Sequence, residues 1–82
     1  MQDNKELLAR IAIDPKVMVG KPVVKGTRLT VQFILGLLAN GATFEDILDE
    51  YKDLRKKDII ACLLYASEVL DQSSFMPLAI EA

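Results

Sequence analysis

The chain has 82 residues, 51% of them hydrophobic and 27% charged, which indicates a single small globular domain and excludes a disordered polypeptide. Its net charge is only −2, so any basic surface must come from an uneven distribution of charge. With no histidine and one cysteine, the sequence excludes Ser-His and Cys-His catalysis and an internal disulfide, and it argues against a zinc site. We therefore expect no enzyme activity and no cofactor.

The N-terminal stretch MQDNKELLAR lacks the long apolar core of a secretory signal. The apolar runs elsewhere are far shorter than the roughly 20 residues that cross a bilayer. We expect a cytoplasmic protein with no membrane partner. We divide it into an N-terminal arm (1–9), a folded domain (10–71) and a C-terminal tail (72–82).

The first third of the chain predicts short, irregular elements. Residues 2–9 form either a frayed helical turn or a flexible arm, and RIAI is a short strand that stops at Asp14-Pro15. The segment KPVVKGTRLTV predicts a small hairpin, in which 23–24 pair with 29–31. Lys25-Gly26 is its turn, because glycine accepts a positive φ.

The remainder predicts three helices. Apolar residues recur at i, i+3, i+4 and i+7 over 31–40 and again over 43–51. Asn40-Gly41 ends the first of these helices, and Thr43 with Asp46 resembles a capping box at the start of the second. After a three-residue turn, KDL, the last helix covers about 55–71 and is apolar over more than one face. The fold class is therefore mostly α, a trihelical helix-turn-helix behind a short β segment.

The start of the last helix is unusually basic. Arg55, Lys56 and Lys57 lie where the helix dipole disfavours cations by a few tenths of a kcal/mol each. A recognition helix presents this position to DNA, so the three side chains, with Lys52, are candidate DNA contacts. The other interpretation is a solvated basic cap on an ordinary helix. Lys21 and Lys25 are further candidates for contact with the DNA backbone.

Two rival interpretations involve the acidic residues of the second helix. A helix-turn-helix formed by 31–40 and 43–51 would turn four carboxylates and no cation towards phosphates, so we reject it. Asp46, Asp49 and Glu50 share a helix face, but a metal site needs ligands from several elements, so we predict no metal. Asp14 and Arg28 are candidates for an ion pair that joins the first strand to the hairpin.

The stretch IAIDPKVMVGKPVVKGTRLTVQFILGLLANGATFEDILDEYKDLRKKDIIACLLYA, residues 11–66, resembles the small bacterial domain-of-unknown-function family 433. The resemblance rests on an Asp-Pro, the run GKPVVKGTR with Gly26, Thr27 and Arg28, and later Tyr-x-x-Leu and Asp-Ile segments. It implies a homeodomain-like helix-turn-helix and the antitoxin half of a type II toxin–antitoxin pair. Such antitoxins commonly dimerise, bind their own operator and neutralise a PIN-like ribonuclease.

This chain departs from the family pattern at the basic stretch. The family usually has Pro at the position of Lys52 and Ser or Thr at that of Arg55. The loss of that cap would cost about 1 kcal/mol of helix stability. The added charge favours DNA binding, although it would equally fit a solvent face.

The function predicted from the sequence is a DNA-binding, antitoxin-like transcription regulator that binds operator DNA as a homodimer. The apolar face of the last helix would form the dimer. The tail would bind a PIN-like toxin or fold back over the protein's own core or its dimer mate; its apolar residues are Phe75, Met76, Leu78 and Ile80. The alternative is a protein-interaction module, an inhibitor or adaptor that never touches DNA.

Overall fold

The computed structural model describes residues 4–72, which form a mostly α fold with one short two-stranded sheet. The elements in chain order are α1 (Asn4–Leu8), β1 (Ile11–Ile13), β2 (Pro22–Val24), α2 (Val31–Ala39), α3 (Phe44–Glu50) and α4 (Lys56–Gln72). A single 3-10 turn, Met18–Gly20, lies between the strands. Within the described residues, no helix is both long and apolar enough to cross a membrane.

Helix α1 belongs to the folded body. The sequence is compatible with a helical turn or a flexible arm over residues 2–9, and residues 4–8 form the helix. It packs against α4 and buries Leu7, which is 4% exposed. Burial of this one leucine anchors a helix that is too short to be stable by itself.

The small sheet differs from the predicted hairpin. Strand β2 pairs in antiparallel fashion with β1, in the register Ile11 to Val24 and Ile13 to Pro22. The segment 29–31 contributes only one bridge, Val23 to Thr30, and a bond from the Val24 amide to the Leu29 carbonyl. The physical reason lies in Thr30, whose hydroxyl accepts the Phe33 amide at 3.0 Å and so begins α2 instead of extending a strand.

The connection between the strands has an unusual backbone. Met18 and Val19 both have positive φ, 49° and 55°, and Gly20 follows at 77°. Positive φ is unfavourable for a β-branched residue, and the Val19 side chain is 91% exposed, so it gains no burial in return. No pattern in the sequence predicts this turn.

Helices α2 and α3 lie where their periodicity predicts. The Thr43 hydroxyl accepts the Asp46 amide at 3.0 Å, and Asp46 accepts the Thr43 amide at 2.9 Å, which completes the predicted capping box. Gly41, with φ of 99°, lies after the end of α2. Helix α4 begins one residue later than predicted, and residues 51–55 form a five-residue connection instead of a three-residue turn.

The core draws on every element from β2 to α4. Its buried side chains fill the space between the sheet and helices α2, α3 and α4. Leu54 comes from the connection between α3 and α4. The core residues are Val24, Val31, Ile34, Ile47, Leu54, Ile59 and Cys62. At the edge, Phe33 and Tyr51 meet edge to face with their ring centroids 5.8 Å apart. This packing holds the start of α4 in a fixed place relative to β2 and the α3–α4 connection.

Candidate nucleic-acid interface

The start of α4 is held by a carboxylate from inside the helix. Arg55 precedes the first helical residue and has no side-chain oxygen that could cap it. Instead, Oδ2 of Asp58, three residues on, accepts the Arg55 backbone N–H at 2.8 Å. In a capping box the side chains of the first and fourth residues each accept the other's backbone N–H. Here only the bond to the fourth residue, Asp58, is present, and it satisfies one of the free amides at the helix start.

The same carboxylate forms the best-buried ion pair of the described residues. Oδ1 of Asp58 accepts Nη1 of Arg10 at 2.9 Å, with side-chain exposures of 8% and 34% respectively. Both carboxylate oxygens therefore have a partner, and among residues 4–72 no buried side-chain nitrogen or oxygen lacks one. A negative charge in the first helical turn also interacts favourably with the helix dipole.

This arrangement explains how α4 tolerates a basic start. The Asp58 carboxylate opposes the unfavourable interaction of three cations with the positive end of the helix dipole. Sequence reasoning missed both partners of the ion pair. The spacing of Asp58 behind Arg55 matches that of Asp46 behind Thr43, so the cap could have been found, but nothing in the sequence connects Asp58 with Arg10, 48 positions away.

The three predicted DNA contacts of this turn are all open to solvent. Arg55, Lys56 and Lys57 are exposed, and none of them forms an ion pair within the described part of the chain. Lys52, on the preceding connection, lies 3.5 Å from Asp49, and both side chains are more than three-quarters exposed. An exposed pair at this distance contributes little, so Lys52 can exchange Asp49 for another anion.

The turn at Lys25 lies beside the start of α4. The Lys25 backbone N–H donates to the Arg10 carbonyl at 2.8 Å, and the Arg10 side chain reaches Asp58. Lys25 also borders a shallow depression together with Arg10 and Asp58. The structure therefore brings Lys25 and the first turn of α4 onto neighbouring parts of the surface.

Lys21 is the candidate that the structure does not bring to this surface. It precedes Pro22, at the end of β2 that pairs with Ile13, whereas Lys25 follows Val24 at the opposite end. Four residues of extended chain separate the two lysines by about 13 Å.

A wide groove of about 850 Å³ lies between the β2 turn and the α3–α4 connection. It contains Lys25, Arg28 and Lys52, and also three carboxylates, from Asp14, Glu50 and Asp53. Cations and anions are equal in number along its walls. This balance makes the groove a poor anion site by itself, in contrast to the neighbouring helix start.

The run around Gly26 has a structural explanation. Gly26 has a φ of 84°, and the Thr27 hydroxyl donates to the Val24 carbonyl at 2.8 Å and accepts the Leu29 amide at 3.0 Å. These contacts close the turn that leads from β2 into α2. Gly26 and Thr27 therefore act on the backbone.

The predicted ion pair between Asp14 and Arg28 is wrong. Asp14 accepts the Lys16 backbone N–H at 2.9 Å, an Asx-type turn with Pro15 in the middle, and Arg28 is exposed. Both side chains border the same groove without meeting in an ion pair in the described region. The local turn satisfies the carboxylate with a backbone amide, so the ion pair that ties this region to the helices is Arg10–Asp58 instead.

The remaining candidates are a metal site, a thiol and the tail. No group of three or more potential metal ligands occurs among residues 4–72. Cys62 is fully buried. Its burial, and to a smaller extent the negative charge of Asp58, raise the pKa of its thiol to about 12. The predicted partner-binding residues of the tail, Phe75, Met76, Leu78 and Ile80, lie outside the described residues.

A family model and a solved structure identify the family of this chain. The family model described as "Protein of unknown function (DUF433)" matches residues 11–66. The chain is similar to the crystal structure of a DUF433 member from Anabaena variabilis, with 26% identity and a TM-score of 0.73, over 83% of this chain and 67% of that one. An uncharacterized protein of Archaeoglobus fulgidus is 62% identical over 24 residues, which are 29% of this chain and 67% of that protein. The chain belongs to the DUF433 family.

Proposed function

We propose that this DUF433 protein is a DNA-binding regulator that contacts double-stranded DNA as a dimer through the first turn of α4. The observation that carries the proposal is the exposed cluster of Arg55, Lys56 and Lys57 at the start of a 17-residue helix. Asp58 and Arg10 fix this turn from the protein side, so the three cations have an ordered base, and none of them forms an ion pair within the described residues of a single subunit.

Side chains at a helix start point back towards the N-terminus, ahead of the helix itself. An arginine there can donate two hydrogen bonds to guanine O6 and N7, and a lysine can contact a phosphate. Lys25 and Lys52 lie on the two segments beside the turn and would add phosphate contacts. Lys21, at the far end of β2, has no part in this contact.

We further propose that the protein neutralises a PIN-like toxin, a role that family resemblance supports and no feature of residues 4–72 does. DUF433 proteins resemble type II antitoxins, and such an antitoxin would also neutralise a PIN-like toxin encoded beside it. Co-expression of this chain with the product of the adjacent reading frame tests that part. Co-purification of the two proteins and rescue of growth would support it, and a neighbour that neither binds nor inhibits growth would contradict it.

A second candidate function is protein interaction without DNA binding. It is favoured by the apolar side chains that α4 exposes beyond its first turn: Leu63 is 44% exposed and Leu70 is 65% exposed. An apolar helix face of this kind does not suit the major groove, which offers mainly hydrogen-bonding groups. In the DNA-binding proposal only the first turn enters the groove, so the apolar face remains available for a protein.

The test is fluorescence anisotropy with duplex DNA from upstream of the protein's own gene, at about 50 and about 200 mM salt. The variant Arg55→Ala/Lys57→Ala removes two cations from the helix start. The control Lys16→Ala/Lys21→Ala removes two exposed cations from the connection between the strands. Circular dichroism establishes that both variants are folded.

We expect wild-type binding that weakens steeply with salt, and at least a roughly tenfold loss in the helix variant with little change in the control. Equal losses in the two variants would indicate attraction by overall charge without a defined contact. A wild-type protein that fails to bind at the lower salt concentration would overturn the DNA-binding proposal and leave protein interaction.

A further inference from the structure

The solvent side of α4 carries a stripe of residues that is mostly open to solvent. At 100° per residue, positions 56, 60, 63, 67 and 71 fall within about 80° of the helix circumference. Four of these residues are exposed, Lys56, Leu63, Ser67 and Asp71, and Ile60 is half-buried. The buried residues of the helix lie outside this arc; they are Asp58, Ile59, Ala61 and Cys62.

The order of residues along this stripe is self-complementary. A basic residue stands at one end and an acidic residue at the other, and both are equally far from the midpoint between Leu63 and Leu64. Ile60 and Ser67 are also equally far from that midpoint. A second α4 in the opposite direction therefore places each Lys56 beside an Asp71, each Ile60 beside a Ser67, and the leucines together at the centre.

From this pattern we infer that the stripe is a homodimer interface, in which two copies of α4 pair antiparallel about the midpoint between Leu63 and Leu64. The interface is isologous, because the same patch on each subunit meets itself. Leu63, which is 44% exposed, and the half-buried Leu64 supply the apolar centre. The two Lys56–Asp71 pairs at its ends set the direction and register of the helices. Ser67, opposite Ile60, is small enough to let the helices approach closely.

A parallel pair does not have this complementarity. It would place Lys56 beside the partner's Lys56 and Asp71 beside the partner's Asp71, and like charges at short distance repel. Within residues 4–72, neither Lys56 nor Asp71 forms an ion pair in the single subunit, so both are available to a second copy. One helix face per subunit is smaller than a standard interface, so we expect a dissociation constant in the micromolar range.

This inference specifies the dimer of the proposed function, and its test needs no DNA, so the two proposals can fail separately. Sedimentation equilibrium measures the dimer dissociation constant of wild type, of Lys56→Asp, of Asp71→Lys and of the double variant. The control Lys21→Asp makes the same charge change at an exposed lysine outside α4. All substituted positions are exposed, and circular dichroism verifies the fold of each variant.

We expect each single variant of the stripe to weaken the dimer about tenfold or more, because two attractive pairs become repulsive, and the double variant to restore it. The control should dimerise as wild type does. A double variant as weak as the single variants would overturn the antiparallel register. A wild-type protein that is monomeric at about 1 mM, far above the expected dissociation constant, would overturn the interface itself.

Discussion

Replacement of Asp58 by alanine should destabilise the fold by about 3 kcal/mol. Loss of the bond from Oδ2 to the Arg55 amide costs about 1 kcal/mol, as for other helix caps. Loss of the charge-assisted bond to Arg10 costs about 1.5 kcal/mol, at the lower end of its range because the arginine is 34% exposed and can recover water. Loss of the favourable interaction with the helix dipole adds about 0.5 kcal/mol.

Urea denaturation followed by far-UV circular dichroism, at one fixed protein concentration, measures the change in the free energy of unfolding. For a domain of this size the same change lowers Tm by about 12–24 °C. The matched control is Asp46→Ala, which removes an aspartate from the equivalent position of α3 but breaks only an exposed cap bond. We expect the control to lose about 1.5 kcal/mol, about 1 from the cap bond and about 0.5 from the helix dipole.

The comparison of the two aspartates decides whether the buried ion pair matters. If Asp58→Ala is no more destabilising than Asp46→Ala, the Arg10–Asp58 pair does not stabilise the fold and the reasoning is refuted. A double-mutant cycle with Arg10→Ala should return a coupling energy of about 1–2 kcal/mol between the two side chains.

Two further predictions concern a buried thiol and a pair of glycines. The Cys62 thiol, whose pKa rises from 9.0 to about 12 in the folded protein, should react with iodoacetamide only through open or unfolded states of the chain. The unfolded chain releases this proton first, so stability should fall as pH rises from about 9 to about 12, and Cys62→Ser should remove that part of the decline. Gly26→Ala should cost about 1–2 kcal/mol because of its φ of 84°, although nothing lies within 4 Å of the added methyl group. Gly36→Ala, equally open but inside α2, should instead stabilise the protein by about 0.5–1 kcal/mol in thermal unfolding.

The helices could be predicted from the sequence because local signals agree with one another. In α2 and α3 the apolar period, the cap at Thr43 and the glycine at 41 agree on where the helices lie. The strands could not be paired in the same way. Each has three residues, and Thr30 can serve either as a strand residue or as a helix cap, so the choice of β1 as the partner of β2 depends on tertiary packing.

The candidate site was predicted only in part for a similar reason. Exposed cations are visible in a sequence, and Arg55, Lys56 and Lys57 are exposed in the structure. What holds them in place is not visible, because Arg10 and Asp58 are far apart in the chain and look like ordinary surface residues. The mistaken Asp14–Arg28 pair shows the same difficulty. The sequence shows that both residues lie near turns, but it does not show that the Asp14 carboxylate is already satisfied by the Lys16 amide.

The proposed dimer and the proposed DNA contact are compatible in geometry. In the antiparallel pair, Arg55 of one copy lies beside position 72 of the other, which is 17 residues from that copy's own Arg55. At a rise of 1.5 Å per residue, the Cα atoms of the two Arg55 residues are therefore about 26 Å apart along the helix axes. Their side chains extend outward at both ends, which lengthens the span towards the 34–36 Å that separates half-sites one turn of DNA apart. Arg55 and Lys57 then remain available to DNA, while Lys56 is engaged by the partner's end of α4.

That division of the three cations makes a last prediction. Lys56→Ala and Asp71→Ala each remove one side of the same intersubunit pair, so they should weaken dimerisation equally. At protein concentrations well above both dimer dissociation constants, we expect the two variants to bind operator DNA with the same affinity and the same salt dependence. If Lys56→Ala binds more weakly there, with a salt slope lower by about 0.9 per lost phosphate contact, Lys56 faces DNA and not the second subunit.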